Sequence, residues 1–182
     1  MVQISALGVD EQAFTPYQTS KLAADTRLRQ LPLNSFILRP SLVYGEGGKS
    51  LAMFRRMAAF PVLPLADGGK QQVQPLHVRD LVACVDACLS TQLSGKTIDL
   101  VGPKIYSFAQ WLNLIRQKQG KRPAQIIPVP FSWVLAMAHM GRYLLPILHP
   151  DNLRMLQQGN TADLQGITEL SGRSPLAAED ML

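Results

Sequence analysis

Apolar residues occur along this chain in short runs that glycine and proline interrupt, and helical periodicity appears between the runs. Val2 to Leu7 forms the first run and residues 35–45 form the second, each with the length of a buried strand. A helix is predicted to begin between them at Pro16, because proline suits the first helical position. Thr15 can cap that helix, and Gln18 lies three residues later, which completes a capping box. The chain therefore opens with a predicted strand, helix and strand.

The rest of the chain continues this alternation of helices with extended segments. Helices are predicted at residues 51–60, 78–89, 108–119 and 151–158, and extended segments at 71–76, 97–102, 125–130 and 161–164. Ser107 is predicted to cap the helix at 108–119. The prolines within 125–130 restrict that segment to the edge of a sheet. We find no internal repeat and no low-complexity segment.

Residues 131–148 form the most apolar run of the chain. This run is the candidate for a transmembrane helix. The run has eighteen residues, near the lower limit for a span, but His139, Arg142 and Pro146 lie inside it. Each of these is costly or disruptive in hydrocarbon. We therefore predict no transmembrane span, and instead a helix that packs in the core or docks on a protein partner or a membrane surface.

Composition excludes several classes of protein. The chain has 182 residues, of which 47% are hydrophobic and 17% charged, which is ordinary for a folded globular protein. Its net charge is +5, but the Lys and Arg residues are scattered and form no stripe of the kind that binds nucleic acid. Cys84 and Cys88 lie four residues apart in an apolar helical segment, with no further cysteine and no nearby His pair. This spacing argues against a disulfide framework and against a metal site.

The cysteines are instead predicted to be buried thiols in a reducing compartment. No targeting pattern is visible in the first residues. We therefore expect a cytoplasmic location, with the surface of the inner membrane as a variant of it.

Tyr17 and Lys21 are the first candidates for chemistry. They lie four residues apart on the predicted helix, one turn along the same face. Tyr17 falls in the first turn, where unpaired backbone N–H groups carry positive potential. A phenol near an ammonium and a helix N-terminus should ionise more easily than a free one, so we expect the pKa of Tyr17 to be lowered. Such a tyrosine can act as an acid and base, although a Tyr-x-x-x-Lys pair alone is more often a solvated helix face.

Further segments give the pair a context. Ser5, Tyr17 and Lys21 are followed by Arg39-Pro40-Ser41-Leu42-Val43-Tyr44-Gly45 and by Leu76-His77-Val78-Arg79-Asp80-Leu81. This ordered set resembles the second half of an extended or atypical short-chain dehydrogenase/reductase, in the NAD-dependent epimerase/dehydratase group. The Ile-Ser-Ala-Leu-Gly segment and the proline-rich, apolar C-terminal region are most similar to the Rossmann-type accessory subunits of respiratory complex I.

The resemblance implies a fold and a division of the chain. The fold is α/β, the C-terminal half of a Rossmann-type doubly wound parallel sheet with a small, mostly helical substrate region. Residues 1–101 correspond to the second half of the dinucleotide-binding domain, with 46–70 inserted from the substrate region, and residues 102–182 to a substrate or lid region. His77 would titrate near neutrality, but the matching histidine of the resembling family mostly supports structure.

The resemblance also implies an activity and its residues. Tyr17 would exchange a proton with a substrate hydroxyl or carbonyl while a nicotinamide cofactor exchanges hydride. Lys21 would hold the cofactor ribose, and Ser5 would orient the substrate oxygen, although a serine at a strand end commonly satisfies backbone groups. Cofactor contacts are implied at Tyr17, Lys21, Arg39, Pro40, Ser41 and Val43. The cofactor would be NAD or NADP and the substrate a nucleotide sugar or a similar carbonyl or alcohol compound; the alternatives are a non-catalytic cofactor-binding or scaffold protein, or an inactive fragment.

The glycine-rich phosphate-binding fingerprint of this family has no counterpart in the sequence. Gly45-Glu-Gly-Gly48 is the one cluster of this sort, and a loop between the sheet and the substrate region is the simpler interpretation of it. We therefore expect a truncated member of the family. A parallel sheet divided between its halves exposes a strand edge, so self-association through that edge is also expected.

Overall fold

Two units make up the chain. The computed structural model describes residues 1–91, 95–141 and 150–182. Unit 1 comprises residues 1–44, 74–104 and 160–181, and unit 2 comprises residues 45–73 and 105–159 together with Leu182. Residues 160–181 belong to unit 1. The assignment of residues 102–182 to a substrate or lid region stays a prediction.

The elements alternate along the chain as expected for an α/β protein. The strands are β1 (Val2–Ile4), β2 (Phe36–Pro40), β3 (Val43–Tyr44), β4 (Val62–Ala66), β5 (Gln72–Val73), β6 (Leu76–His77), β7 (Lys96–Leu100), β8 (Tyr106–Ser107) and β9 (Gln125–Val129). The helices are α1 (Pro16–Arg29), α2 (Lys49–Met57), α3 (Val78–Ser90), α4 (Phe108–Lys118), α5 (Phe131–Gly141), α6 (Pro150–Gln158), α7 (Gln165–Ser171) and α8 (Ala178–Met181). Asp67–Gly69 forms one 3₁₀ turn.

Unit 1 is built on a three-stranded parallel sheet in the order β1-β2-β7. Ile4 pairs with Leu38, and Leu38 pairs with Ile98. α3 and α7 pack on the core that the sheet buries. The buried members of this core are Phe36, Leu38, Leu76, Cys84, Cys88, Leu100 and Ile167. β2, the central strand, begins with the continuous apolar run Phe36–Leu38, because a central strand of a parallel sheet is covered on both faces.

Helix α1 confirms the predicted capping box. Thr15 has extended backbone angles, its hydroxyl accepts the backbone N–H of Gln18, and the Gln18 side chain accepts the backbone N–H of Thr15. Both residues are buried. The predicted start at Pro16 is therefore correct, and it fixes which residues share the face of α1.

The predicted strand at 35–45 is divided in two at Ser41. The backbone N–H of Ser41 donates to Leu100 O of β7, and its hydroxyl donates to Gln74 O at 2.6 Å. One residue later, Leu42 O accepts the N–H of Leu76, so the chain leaves β7 and pairs with β6. A change of partner strand therefore ends β2 and starts β3.

The predicted strand at 161–164 is wrong. The backbone N–H of Ala162 donates to the side chain of Gln74 at 3.0 Å, and not to a strand. Asp163 Oδ1 then accepts the N–H of Gln165 at 2.6 Å, which starts α7. A local hydrogen bond from a backbone N–H to the Asp163 side chain is thus present where the sequence suggested strand pairing.

Gly102 marks the closest backbone approach in unit 1. A Cβ at this position would lie 1.8 Å from Pro75 O. Gln74, next to that proline, is 2% exposed, and its Nε2 donates to Gly102 O at 2.8 Å. This segment therefore requires glycine for space.

Asp80 holds the end of unit 1 against α3. It is 2% exposed, and its Oδ2 accepts the backbone N–H of Leu176 at 2.8 Å. Its Oδ1 lies 2.6 Å from a guanidinium nitrogen of Arg173. His77, just before α3, is also buried: its Nδ1 accepts the N–H of Arg79, and its ring meets the ring of Tyr44 edge-on at 5.1 Å. His77 therefore supports structure in this position.

Unit 2 contains two strand pairs and an aromatic core. β4 and β9 pair in parallel, and β5 pairs with β8 antiparallel. Trp111 of α4 is fully buried and meets the ring of Phe54 at 6.2 Å between centroids. Ser107 caps α4 with a capping box that Gln110 completes, and the predicted cap is confirmed.

Arg116 is the buried cation of unit 2. It is 7% exposed, and one guanidinium nitrogen donates to Ala58 O at 2.8 Å and to Phe60 O at 2.9 Å. Its Nε donates to Arg122 O. The side chain therefore joins the segment after α2 to the segment before β9.

The long apolar run is helical in its first part. α5 covers Phe131–Gly141, and residues 142–148 of the run lie outside the described residues. Among the residues that the structure describes, no helix has both the length and the apolar character needed to cross a bilayer.

Candidate functional site

Tyr17 and Lys21 lie on successive turns of α1. The Lys21 Nζ stands 6.0 Å from the centroid of the Tyr17 ring, and it donates a hydrogen bond to Ile4 O at 2.8 Å. The side chain of Tyr17 is 49% exposed. The structure thus brings the phenol and the ammonium together at the carboxyl end of β1.

The Ile4 carbonyl explains where Lys21 is bound. Ser5 N donates to Leu38 O, and Leu7 N donates to Pro40 O, so these residues use the edge of the strand that faces β2. Ile4 precedes Ser5, and its carbonyl belongs to the same peptide group as the Ser5 N–H. The Ile4 carbonyl therefore points to the opposite edge of the strand, because the C=O and N–H of one peptide group point in opposite directions. Within the described part of the chain, β2 is the single strand neighbour of β1. Lys21 therefore occupies an open edge of the sheet.

The expectation of a lowered pKa for Tyr17 is wrong in this structure. Partial burial raises the pKa of Tyr17 above its ordinary value, because the charged phenolate loses hydration. The Lys21 ammonium is 6.0 Å from the ring centroid and is bound to a carbonyl. It therefore does not compensate for the loss of hydration, and the phenol is held in its protonated form.

Ser5 is directed to a carboxylate that the sequence did not single out. Ser5 is 2% exposed, and its hydroxyl donates to Asp25 Oδ2 at 2.7 Å. Asp25 is fully buried, and the Nε of Arg39 lies 3.8 Å from the same oxygen. The other oxygen, Oδ1, has no hydrogen-bond partner among the described residues. Asp25 thus links α1 to both β1 and β2.

A sequence signal for Asp25 exists. Tyr17, Lys21 and Asp25 follow one another at intervals of four residues, which places them on one face of α1. Asp25 lies in the third turn of the helix, on the face that also carries Tyr17 and Lys21. A carboxylate buried there against the sheet needs a hydrogen-bond donor or a cation, because burial of an unpaired charge is costly. This argument finds Asp25, but the identity of its partner depends on how α1 packs on the sheet.

The remaining predicted cofactor contacts lie in β2 and at its end. Arg39 is partly buried beside Asp25, and Pro40 is buried, with its carbonyl bonded to Leu7. Ser41 is 7% exposed, and its hydroxyl is bonded to Gln74 O. Val43 is partly buried and packs against the core of unit 1. The Pro40 carbonyl and the Ser41 hydroxyl are therefore bonded within the protein, whereas Arg39 Nε has no hydrogen-bond partner among the described residues. Contact of these residues with a cofactor stays a prediction.

The two cysteines are buried thiols of low reactivity. Cys84 and Cys88 are free and buried in α3, as predicted. Burial raises the pKa of the Cys84 thiol to about 11, so the thiol stays protonated near neutral pH. Among the residues that the structure describes, no group of three or more His, Cys, Asp or Glu side chains could hold a metal ion.

A cavity of about 460 Å³ lies elsewhere in unit 1, against β7, α3 and α7. None of Ser5, Tyr17 and Lys21 lines it. Its walls carry the charged residues Lys96, Asp99, Asp163 and Glu169. The cavity is therefore separate from the predicted chemistry.

The donor set at α1 fits one end of a nicotinamide dinucleotide. A partly exposed phenol and an ammonium on adjacent turns are the hydrogen-bond donors that a ribose diol accepts. The diphosphate would need a helix N-terminus behind a glycine-rich turn. The described residues of unit 1 contain no such turn, since Gly45-Glu-Gly-Gly48 lies in unit 2. The fit therefore covers the nicotinamide ribose alone.

Comparison with known proteins identifies a family for the chain. Residues 6–102 match the NAD dependent epimerase/dehydratase family. NADH dehydrogenase (ubiquinone) 1 alpha subcomplex subunit 9, mitochondrial, of Arabidopsis thaliana is 28% identical over 142 residues, which are 75% of this chain and 35% of that protein. The chain spans about a third of the length of the curated relatives it matches.

Solved structures share the fold. A nucleoside-diphosphate-sugar epimerase from Staphylococcus aureus superposes with a TM-score of 0.74 at 12% identity, over 98% of this chain and 62% of that one. MoeE5 in complex with UDP-glucose and NAD superposes with a TM-score of 0.66 at 16% identity, over 99% of this chain and 61% of that one. These TM-scores show a common α/β fold. Since the family match spans more than half of the sequence, the chain belongs to the NAD-dependent epimerase/dehydratase family.

Proposed function

We propose that unit 1 binds the nicotinamide ribose of NAD or NADP and that Tyr17 transfers a proton to or from a carbonyl or alcohol substrate. The observation that carries the proposal is the pair formed by Tyr17 and Lys21 at the open edge of β1. Both groups are hydrogen-bond donors, and Tyr17 is accessible to a ligand. A bound nicotinamide cofactor would supply hydride transfer at this position.

Tyr17, Lys21 and Ser5 have different roles in this proposal. The Tyr17 phenol would donate its proton to an oxygen that gains negative charge. Partial burial raises the pKa of this phenol, which favours the protonated form but makes it a weaker acid until a cofactor or substrate changes its surroundings. Lys21 is anchored on Ile4 O and has further N–H groups for a ribose hydroxyl. Ser5, predicted to orient the substrate oxygen, instead anchors Asp25, so its contribution here is to fix α1 against β1. Tyr17 and Lys21 are therefore the pair on which the proposal depends.

We propose a nucleotide sugar or a similar hydroxyl-bearing compound as the substrate class. Support comes from the S. aureus epimerase and from MoeE5, which was solved with UDP-glucose and NAD. The choice between NAD and NADP depends on groups that contact the other ribose, and no residue of this chain is assigned to that role.

A second candidate is a non-catalytic cofactor-binding or scaffold protein. The specific observation in its favour is the Ser5 hydroxyl, which is buried and bonded to Asp25 and so cannot also orient a substrate. The curated relatives are described as NADH dehydrogenase subunits. Protein partners, association of chains through the β1 edge, and a cytoplasmic location near the inner membrane are predictions that belong to this candidate.

The two candidates are separated by measuring binding and turnover on the same protein. We expect NADH or NADPH to raise thermal stability and to change nicotinamide fluorescence, with a gain of about 2.7 kcal/mol in unfolding free energy at a hundredfold excess over Kd. Lys21→Met should weaken binding roughly tenfold or more, because it removes a charged hydrogen bond. Arg27→Met, which removes an exposed cation further along α1, is the matched control and should leave binding unchanged.

Turnover then distinguishes chemistry from binding. With UDP-glucose and NAD, Tyr17→Phe should lower the rate by a factor of about 10² to 10⁴, with a smaller effect on cofactor binding. Cofactor binding without any turnover in the parent protein would favour the scaffold candidate. If millimolar NADH and NADPH give no saturable signal, the proposal fails for both candidates that use a cofactor.

A further inference from the structure

The two units carry opposite charge. Unit 2 holds ten Lys and Arg against three Asp and Glu, whereas unit 1 holds eight against ten. The net charge of +5 is therefore concentrated in less than half of the chain, although the basic residues looked scattered in the sequence. A concentration of this kind attracts an anionic partner to unit 2.

Unit 2 also exposes apolar side chains on the ribbon that β4 and β9 form. Val62 is 40% exposed and Ile127 is 45% exposed, while Leu63 and Leu65 of the same ribbon are buried. Pro64 is exposed and pairs in register with Ile127. Since alternate residues of a strand share a face, Val62, Pro64 and Ile127 lie together on the outer face of the ribbon. One face thus enters the core, and the other presents hydrocarbon to solvent.

Exposed cations stand at one end of this ribbon. Phe60, which is 64% exposed, precedes β4, and Lys121 and Arg122 precede β9. The buried guanidinium of Arg116 donates to Phe60 O and to Arg122 O, so a single side chain spans the distance between the two segments. The backbone segments that carry an aromatic residue and two basic residues are therefore neighbours. We define the ribbon face as Phe60, Val62, Pro64, Lys121, Arg122 and Ile127.

We propose that the ribbon face docks unit 2 on the surface of a bilayer that contains anionic phospholipid. The bilayer offers phosphates and hydrocarbon within a few ångströms of each other, which matches cations beside an exposed phenylalanine and branched side chains. On a nucleic acid, branched aliphatic side chains and proline reach apolar partners mainly by insertion between base steps, which costs unstacking energy, whereas a bilayer offers hydrocarbon directly below its phosphates. This difference favours lipid over that polyanion. The proposal does not depend on the NAD site, which lies in unit 1.

The proposal predicts that membrane binding depends on the charge of the lipid and on the salt concentration. Each Lys or Arg near an anionic surface strengthens binding roughly fivefold at physiological ionic strength, and salt screens this contribution. Apolar insertion alone would act equally on neutral lipid. Binding through the ribbon face must therefore need both anionic lipid and moderate salt.

The test is cosedimentation of the full chain with vesicles of two compositions. We expect it to bind vesicles of phosphatidylcholine mixed with phosphatidylglycerol, and to bind pure phosphatidylcholine at least tenfold more weakly. Lys121→Glu/Arg122→Glu should lower binding to the mixed vesicles by roughly 25-fold or more. Phe60→Ser/Val62→Ser should lower it by a similar factor, because it removes the groups that enter the hydrocarbon boundary.

Unit 1 offers matched controls for both kinds of change. Val82 and Leu89 of α3 are 61% and 69% exposed, so Val82→Ser/Leu89→Ser removes equally accessible apolar surface from the acidic unit. Arg27→Glu/Lys96→Glu reverses two exposed cations there. Neither pair should change vesicle binding, and circular dichroism should show that all four double variants are folded.

Three results would overturn the proposal. They are equal binding to neutral and anionic vesicles, no binding to either, or losses in the unit 1 controls as large as those in the ribbon-face variants. A concentration-dependent dimer that Phe60→Ser/Val62→Ser abolishes, in the absence of vesicle binding, would assign the ribbon face to contact between copies of the chain instead.

Discussion

The two units bury charge in opposite ways. Unit 1 buries carboxylates: Asp25 takes a serine hydroxyl, and Asp80 takes a backbone N–H and a guanidinium. Unit 2 buries a cation, Arg116, whose partners are backbone carbonyls. The difference follows the net charge of each unit, since the acidic unit encloses anions and the basic unit a cation. In each case the buried charged side chain forms hydrogen bonds to segments that are distant in sequence. Buried charged residues therefore stabilise the packing of these segments against one another.

The largest expected effect comes from the tight backbone contact of unit 1. Gly102→Ala should destabilise the protein by more than about 4 kcal/mol, because the new Cβ would overlap Pro75 O and the backbone would have to move. Urea unfolding measures the loss. Gly120→Ala is the control in unit 2: Gly120 has a φ of +71°, and nothing lies within 4 Å of its added Cβ. It should lose about 1 kcal/mol from backbone strain alone, and equal losses would contradict the role of close approach.

Removal of the buried cation of unit 2 should have the next largest effect. Arg116→Met keeps most of the apolar stem but leaves carbonyls of Ala58, Phe60 and Arg122 without their donor, and we expect a loss of about 3 kcal/mol. Chemical denaturation of the variant gives this value. Arg56→Met, at an exposed position, should change stability by less than about 0.5 kcal/mol. A loss below about 1 kcal/mol for Arg116→Met would show that water replaces the guanidinium.

The Asp80 carboxylate should contribute more to stability than its partner, the Arg173 guanidinium. Asp80→Asn should cost about 2 kcal/mol, because the buried side chain loses its charge and leaves the N–H of Leu176 with a poorer acceptor. Arg173→Met should cost less than about 1 kcal/mol, since the Arg173 side chain is 44% exposed and its interaction is screened by solvent. Limited proteolysis should show faster cleavage of residues 160–181 in Asp80→Asn. Equal losses for both variants would mean that the ion pair, and not the N–H cap, holds this segment.

The smallest expected effect concerns pH. Burial lowers the pKa of His77 below its ordinary value, with Arg79 acting in the same direction and Asp80 against it. The unfolded chain therefore takes up the proton first as the pH falls, so His77 lowers stability progressively below about pH 6.5 and has no such effect above about pH 7.5. Urea midpoints measured across this range should fall less in His77→Gln than in the parent protein. Identical pH profiles would show that His77 is not the group that titrates.

The local parts of the fold were predictable from the sequence. The start of α1 and the cap of α4 depend on residues three apart, and both were placed correctly. The spacing of Tyr17 and Lys21 likewise fixed their common face. Such features need no knowledge of tertiary structure, because the interacting groups belong to one helix.

Features that depend on distant residues could not be predicted. Lys21 bonds to Ile4, and Ser5 bonds to Asp25, only because α1 packs on the sheet. The place of residues 160–181 in unit 1 follows from contacts of Gln74 and Asp80, which are more than eighty residues away in sequence. The pKa of Tyr17 was mispredicted for a related reason, since burial is a property of the folded chain and outweighed the nearby ammonium.

The central claim is that the acidic unit binds the cofactor and the basic unit binds the bilayer. Hydrogen–deuterium exchange of the full chain, measured with NADH, with phosphatidylglycerol-containing vesicles and with neither, tests both halves together. The account predicts that NADH slows exchange in peptides that cover residues 1–21 and leaves those of β4 and β9 unchanged, whereas vesicles slow exchange in peptides from residues 58–66 and 121–130 and leave residues 78–90 unchanged. Protection of the same peptides by both ligands, or protection of α3 by vesicles, would contradict it.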